Sequence, residues 1–169
     1  MVGNQEAATT ALANVEATYQ RRADLIPNLA KTVLAYAKHE RETMEEVVKA
    51  RAAASQVKLD ADNLTPEKMK AFQEAQGQLS QALGKLMVVV EKYPDLKASE
   101  NFRSLQVQLE GTENRINEAR QKYNDAVQTY NKDVRTFPNV IFAGMFGFEK
   151  MEKFEAATGA EKAPELNFD

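Results

Sequence analysis

The chain has no cysteine and no tryptophan, and only 7 glycines and 5 prolines among its 169 residues. Without cysteine, disulfides, thiolate nucleophiles and zinc–thiolate sites are excluded. Because glycine and proline mark most turns, their scarcity predicts few turns and long elements. No apolar run reaches the roughly 20 residues that cross a bilayer.

The chain also has little excess of one charge sign over the other. Lysine and arginine number 22 and aspartate and glutamate 25, which gives a net charge of -3. Binding to several phosphates needs a concentrated basic face, and no stretch supplies one, so no nucleic-acid partner is expected. The length fits a single domain over residues 1–169 with a sizeable core.

The first third of the chain predicts one long helix with a single buried face. From about Gln5 to Ser55, apolar and small residues recur at steps of three and four, as on one face of a helix. These positions are Leu12, Val15, Tyr19, Ile26, Leu29, Val33, Tyr36, Val47 and Ala50.

Asp24 and Pro27 form a candidate hinge within this stretch. Asp24 can cap a new helix whose first turn contains Pro27. The phase of the apolar positions does not slip across Pro27, which favours one helix that bends there. Both interpretations stay open, with a preference for the bent helix. In that case Phe137 lies at the end of the fold away from the N-terminus, whereas a break at Asp24 brings it to the N-terminal end.

Two further long helices follow. Thr65 and Pro66 are typical of a helix start, and this helix is predicted to run to Tyr93. A turn after Pro94 leads to a third helix, which Ser99 caps and which ends near Thr136. The predicted fold is all-α: an antiparallel up-and-down helical bundle of three long helices and a shorter fourth one, with a left-handed twist.

Residues 137–148 are apolar, contain two glycines and carry no charged side chain. This segment is too short to cross a membrane. We prefer the interpretation that it caps one end of the bundle; the alternative is contact with a lipid surface or a partner protein. A short helical turn is predicted from Lys150 to Ala157, followed by a mobile tail over residues 158–169. The candidate interaction residues are Phe137, Ile141, Phe142, Met145, Phe146 and Phe148.

Six strings, in this order and across almost the whole chain, resemble the LemA family: RRADLIPNL, AYAKHE, YPDLKASENF, QLEGTENRI, YNDAVQTYN and FPNVIFAGMFGF. The resemblance implies a bundle described as four antiparallel helices. It also implies one transmembrane helix directly before the domain, which holds the domain on the outer side of a bacterial cell membrane. That helix is missing from these 169 residues, so the anchor is implied by the resemblance alone. The family brings no firmly assigned biochemical activity.

Charged residues interrupt the apolar faces at Arg22, Glu40, Glu113 and Arg120. Two are positive and two negative, which favours a buried ion-pair layer that fixes the register of the helices. The alternative is a polar interior site that binds a ligand or a metal.

A row of three asparagines, Asn117, Asn124 and Asn131, runs beside the apolar face of the third long helix at steps of seven. Such amides either bind an extended partner or, as we prefer, form hydrogen bonds between helices.

Known catalytic and metal-binding patterns are missing. A di-metal bundle needs Glu-x-x-His pairs on two helices, but His39 is the single histidine. No nucleophile–base pair and no phosphate-binding glycine loop is visible. We therefore expect no catalytic residue, no metal and no cofactor.

Two classes of function remain. The first is a non-enzymatic scaffold or adaptor that is held at the outer face of the membrane and recruits or braces a membrane protein. The second is a ligand-binding or enzymatic bundle that uses the polar interior layer. The sequence leaves the oligomeric state open.

Overall fold

The computed structural model describes residues 1–155, and within them the protein is all-helical, with no β-strand. The predicted mobile tail, residues 158–169, lies outside the described residues. The helices are α1 (Val2–Tyr36), α2 (Arg41–Gln56), α3 (Pro66–Val90), α4 (Pro94–Ala98), α5 (Glu100–Arg135) and α6 (Asn139–Phe146). Short 3-10 turns lie at Lys38–Glu40 and Ala61–Asn63.

Helix α1 continues through Asp24 and Pro27, as the phase of its apolar positions indicated. Proline has no amide hydrogen, so the carbonyl four residues earlier, that of Ala23, loses its helical partner. The Nε of Arg51, on α2, donates a hydrogen bond to that carbonyl at 2.9 Å. A side chain from the neighbouring helix thus compensates for the proline.

The predicted single helix from Gln5 to Ser55 is wrong, because the chain leaves the helix at Ala37. Ala37 is buried and has φ -129° and ψ 63°, outside the helical region. After the 3-10 turn the chain reverses into α2, since Arg51 lies beside Ala23, and Leu59, just beyond α2, donates its amide hydrogen to Glu16 at 2.8 Å. Neither glycine nor proline marks this reversal.

Contacts between helices fix their directions. Gln76 of α3 lies beside Arg22, and Tyr93 lies beside Glu40, so α3 runs parallel to α1. Asp133 lies beside Asn4, so α5 runs back along α1. The molecule therefore has a Met1 end, where α1 begins and α5 finishes, and an Ala37 end, where α1 turns into α2.

Two large apolar clusters and a small third one, made of Tyr130, Val134 and Ala143, fill the core. Towards the Ala37 end, α1, α2, α3 and α5 enclose one cluster that includes Ile26, Leu86 and Phe102. Towards the Met1 end, where α2 is absent, the second cluster includes Tyr19 and Phe154. The Met1 end is thus closed partly by residues that follow α6.

Residues 148–155, which we call the return segment, are not helical. The short helix predicted from Lys150 to Ala157 is therefore wrong over its described part. Gly147 ends α6 in the left-handed conformation, with φ 74°, which favours glycine. From there the chain runs back along α5.

The expected position of the apolar segment is also wrong, because the reversal at Ala37 adds a helix that the sequence did not indicate. Asp133 accepts hydrogen bonds from Asn4 of α1 and Asn139 of α6. Met1 and Phe148 both pack against the small cluster of Tyr130, Val134 and Ala143. Helix α6 consequently lies at the Met1 end, beside the start of α1.

Candidate functional site

A solvent-open groove of about 820 Å³ lies between α3 and α5. Tyr19 and Arg22 of α1 contribute to its lining, together with polar side chains of α3 and α5. Because α1 lies beneath both flanking helices, the groove reaches the charged positions that interrupt the apolar face of α1.

Arg22 is the buried centre of this groove, with 1% of its surface exposed. Its NH1 donates to Ser80 Oγ and Glu113 Oε1, each at 2.8 Å. Its NH2 donates to Gln76 Oε1 at 2.6 Å and to the Gln76 carbonyl at 3.1 Å. The guanidinium also lies over the Tyr19 ring, 5.3 Å from its centroid. With its terminal nitrogens engaged in this way, Arg22 ties α1 to α3 and α5.

The four charges of the predicted interior layer do not come together. Glu113 forms an ion pair with Arg22 but is 45% exposed, and Arg120 lines the groove at its Met1 side. Glu40 lies in the turn at the Ala37 end, where it accepts a hydrogen bond from the Tyr93 hydroxyl at 2.9 Å. The arrangement is one buried arginine in a polar groove, not a layer of four buried charges.

No catalytic constellation is evident within residues 1–155. No cluster of three histidine, aspartate or glutamate side chains is placed to hold a metal ion there. His39 is exposed in the 3-10 turn that follows α1, at the Ala37 end of the molecule.

Two asparagines of the row bind an extended strand, and that strand is the chain's own return segment. Asn131 donates to the carbonyl of Met151 and accepts from its amide, both at 2.9 Å. Asn124 does the same with Phe154, at 3.1 Å and 2.8 Å. A primary amide matches a peptide group because each has one donor and one acceptor side. The preferred hydrogen bonding between helices is therefore wrong for these two residues.

Two tyrosines of α5 hold further carbonyls of the same segment. Tyr130 donates its hydroxyl hydrogen to Glu149 at 2.8 Å, and Tyr123 donates to Glu152 at 2.6 Å. Burial raises the pKa of both hydroxyls, that of Tyr123 far above its usual range. The neutral, hydrogen-donating form is therefore the one that the fold retains.

Raising the pH above about 10 is expected to destabilise the protein through Tyr123. The unfolded chain ionises tyrosine near pH 10, whereas the folded pKa of Tyr123 is higher. Its contribution to stability is complete below pH 10 and is lost as the pH rises beyond it. The free energy of unfolding, measured by urea unfolding between about pH 8 and about pH 11, should fall with rising pH. Above about pH 10 it should fall more steeply in the unsubstituted protein than in Tyr123→Phe, by up to about 1.4 kcal/mol per pH unit. Equal slopes would contradict this role.

The apolar side chains of α6 form a second surface feature. Met145 is 73% exposed and Phe146 70%, and Phe137 and Ile141 are exposed as well. Only Ala143 of this helix is buried. Among the predicted interaction residues Phe148 differs, because it packs partly against the cluster around Tyr130. Val140 is also exposed, although sequence reasoning did not single it out.

Sequence reasoning missed the residues that complete both sites. Gln76 and Ser80 of α3 both bind Arg22, and neither is among the residues that the sequence analysis singled out. Phe154, buried between Phe72 and Tyr123, was placed in a weak helical turn. A glutamine at an apolar position of α3 was the one available signal.

A family model described as the LemA family matches residues 11–168. The magnetosome protein MamQ of Magnetospirillum gryphiswaldense is 30% identical over 85 residues, which cover 50% of this chain and 31% of that protein. Magnetosome protein MamQ 2 of Paramagnetospirillum magneticum is 30% identical over 86 residues, or 51% of this chain and 32% of that protein. The match thus spans about a third of the length of these relatives. Among the described helices, none is both long enough and apolar enough to span a bilayer.

Proposed function

Since this chain belongs to the LemA family, we propose that it is a non-enzymatic scaffold or adaptor domain held at the outer face of a bacterial membrane, with α6 in contact with the lipid. The main support for this proposal is the exposed apolar face of α6. In this role the domain recruits or braces a membrane protein partner.

The composition of α6 supports a lipid surface as its partner. Residues 137–148 carry no charge, and six large apolar side chains from Phe137 to Phe146 are about half exposed or more. Burying each of them fully in an apolar environment contributes roughly 1.5–3 kcal/mol. The neighbouring Lys132, Arg135 and Lys150 are exposed cations that suit anionic headgroups.

The position of α6 supports the same partner. Asp133 links α6 to the start of α1 through Asn139 and Asn4. A transmembrane helix directly before the domain, which the family resemblance implies, would emerge at this end. The apolar face of α6 would then lie next to the bilayer, while the groove between α3 and α5 stays in water.

The alternative, a ligand-binding or enzymatic bundle, has less support. It would use the groove at Arg22, but the terminal nitrogens of that guanidinium already bind Ser80, Gln76 and Glu113. Within the described residues no nucleophile lies beside a base to make use of the groove.

Vesicle co-sedimentation tests the lipid contact. We expect the protein to bind vesicles made of equal amounts of phosphatidylethanolamine and phosphatidylglycerol. The double variant Met145→Ser/Phe146→Ser should bind roughly tenfold more weakly or worse, because two large apolar side chains are lost from the contact. The matched control is Val88→Ser/Val107→Ser, which removes two equally exposed apolar side chains from α3 and α5.

Vesicle binding that is absent in the unsubstituted protein, or equal in both double variants, would rule out α6 as the lipid-contacting surface. Circular dichroism of both variants checks that they are folded. We expect both to fold, because all four side chains are exposed.

A further inference from the structure

A second groove, which we call the α1–α2 groove, is apolar and open to solvent. It has a volume of about 370 Å³ and shares no lining residue with the groove beside Arg22. Helix α1 packs closely along α5, and α2 packs closely along α3, whereas α1 and α2 share a smaller contact. The wider spacing leaves a trough along the outer side of α1 and α2.

Apolar side chains line both sides of the α1–α2 groove. Ala30 and Leu34 of α1 are half-buried. On α2, Met44 is 2% exposed and Val48 is 45% exposed. On each helix the two positions are four residues apart and therefore lie on one side of the helix, and the exposed Ala52 extends the α2 row by one turn. A helix with an apolar stripe at steps of three and four fits between two such rows.

The α2 side of the groove also carries three charges in a regular order. Arg41, Glu45 and Lys49 line the groove at steps of four, and all three are exposed. None of them forms an ion pair with another residue of the described range 1–155. A partner helix with acidic, basic and acidic side chains at steps of four would place an opposite charge beside each of them, whichever way the helix runs.

A second copy of this chain does not supply that pattern. Only Glu45, Glu118 and Glu149 have a lysine or arginine four positions later, and alanine follows four positions after each of those bases. Helix α6 carries no charge at all. The charge order of the groove therefore points to a helix of another protein.

We propose that the α1–α2 groove binds an amphipathic helix of a partner protein, with an apolar stripe and an acidic–basic–acidic row beside it. This inference rests on the adaptor role proposed above and names the kind of segment that the adaptor recruits. The groove lies towards the Ala37 end, roughly 45 Å along α1 from the Met1 end, where α6 lies. One molecule can therefore contact lipid through α6 and bind the partner helix at the same time.

Two fluorescein-labelled helical peptides of about 20 residues test the charge order. Both carry the same row of leucines at steps of three and four. Beside it, one peptide has Glu, Lys and Glu at steps of four, and the other has Lys, Glu and Lys. Fluorescence anisotropy should show about tenfold tighter binding of the first peptide, because three matched pairs replace three mismatched ones. The triple variant Arg41→Glu/Glu45→Lys/Lys49→Glu should reverse this preference.

The variant Val48→Asp tests the location of the site. It should weaken binding of the first peptide by at least about tenfold, because a carboxylate enters the apolar contact. The matched control Val107→Asp changes an exposed valine of α5 and should leave peptide binding unchanged. Both valines are exposed, so both variants should fold, and circular dichroism checks this.

Any of three results would overturn the proposal: no binding or equal binding of the two peptides, a preference that the triple variant does not reverse, or equal losses in Val48→Asp and Val107→Asp. Vesicle binding of Val48→Asp should equal that of the unsubstituted protein, because α6 lies at the other end. A protein that binds vesicles but neither peptide therefore lacks the partner groove and keeps the lipid contact. A protein that binds the first peptide but no vesicles lacks the lipid contact alone.

Discussion

Replacing Arg22 by methionine is expected to lower the free energy of unfolding by about 3 kcal/mol. The substitution leaves the buried Gln76 amide oxygen without its donor and removes the ties to Ser80 and Glu113. Glu113 is 45% exposed and can return to water, so the main cost falls on Gln76 and on the lost packing over the Tyr19 ring. Urea unfolding monitored by circular dichroism measures the loss.

Two further variants test whether the loss of stability comes from the hydrogen bonds of Arg22. Arg21→Met removes an exposed charge one position away and should change stability by less than about 0.5 kcal/mol. Arg22→Met/Gln76→Leu replaces both buried polar partners by apolar side chains and should recover most of the loss. A single Arg22→Met variant as stable as Arg21→Met would show that the hydrogen bonds of Arg22 do not hold the helices together.

Truncation of Phe154 to alanine is expected to cost about 3 kcal/mol and to release the return segment. The ring packs against Tyr123 with centroids 5.2 Å apart, and the Arg120 guanidinium lies over it at 5.1 Å. It is the most buried side chain of the return segment. Without this anchor the paired main-chain hydrogen bonds at Met151 should open together with those at Phe154.

The neighbouring substitution Lys153→Ala provides the control, since Lys153 is exposed on the same strand. Amide exchange at Met151 distinguishes release of the segment from a local cavity. If Phe154→Ala lowers stability while Met151 stays protected, the segment is held by its asparagine and tyrosine contacts alone.

The spacing of apolar residues at steps of three and four was enough to predict most of the helices. The apolar positions Leu12, Val15, Tyr19, Ile26 and Leu29 are all buried, because burial of one face is what that pattern records. No such sequence pattern indicates the reversal at Ala37. The residues around it are ordinary helix formers, and the turn is stabilised by α2 packing back on α1, which is a tertiary effect.

The site was predictable in part for a similar reason. A charge on an apolar face marked Arg22, and the spacing of seven marked Asn124 and Asn131, although hydrogen bonding between helices was the preferred role for these two asparagines. Spacing along one helix says nothing about which strand or helix lies opposite. The identities of Gln76 and Phe154 as partners depend on the relative rotation and height of separate elements, which only the assembled fold defines.

The hydrogen bond from Arg51 to the carbonyl freed by Pro27 also bears on the order of folding. It joins α1 to α2 across a sequence separation of 28, whereas Asn4 and Asp133 at the Met1 end are 129 residues apart. Contacts that close short loops cost less chain entropy and generally form earlier. The Ala37 end is therefore suited to nucleate folding during synthesis, before α5 is complete. We expect the Met1 end to close last, so that the apolar face of α6 is assembled when the rest of the domain is in place.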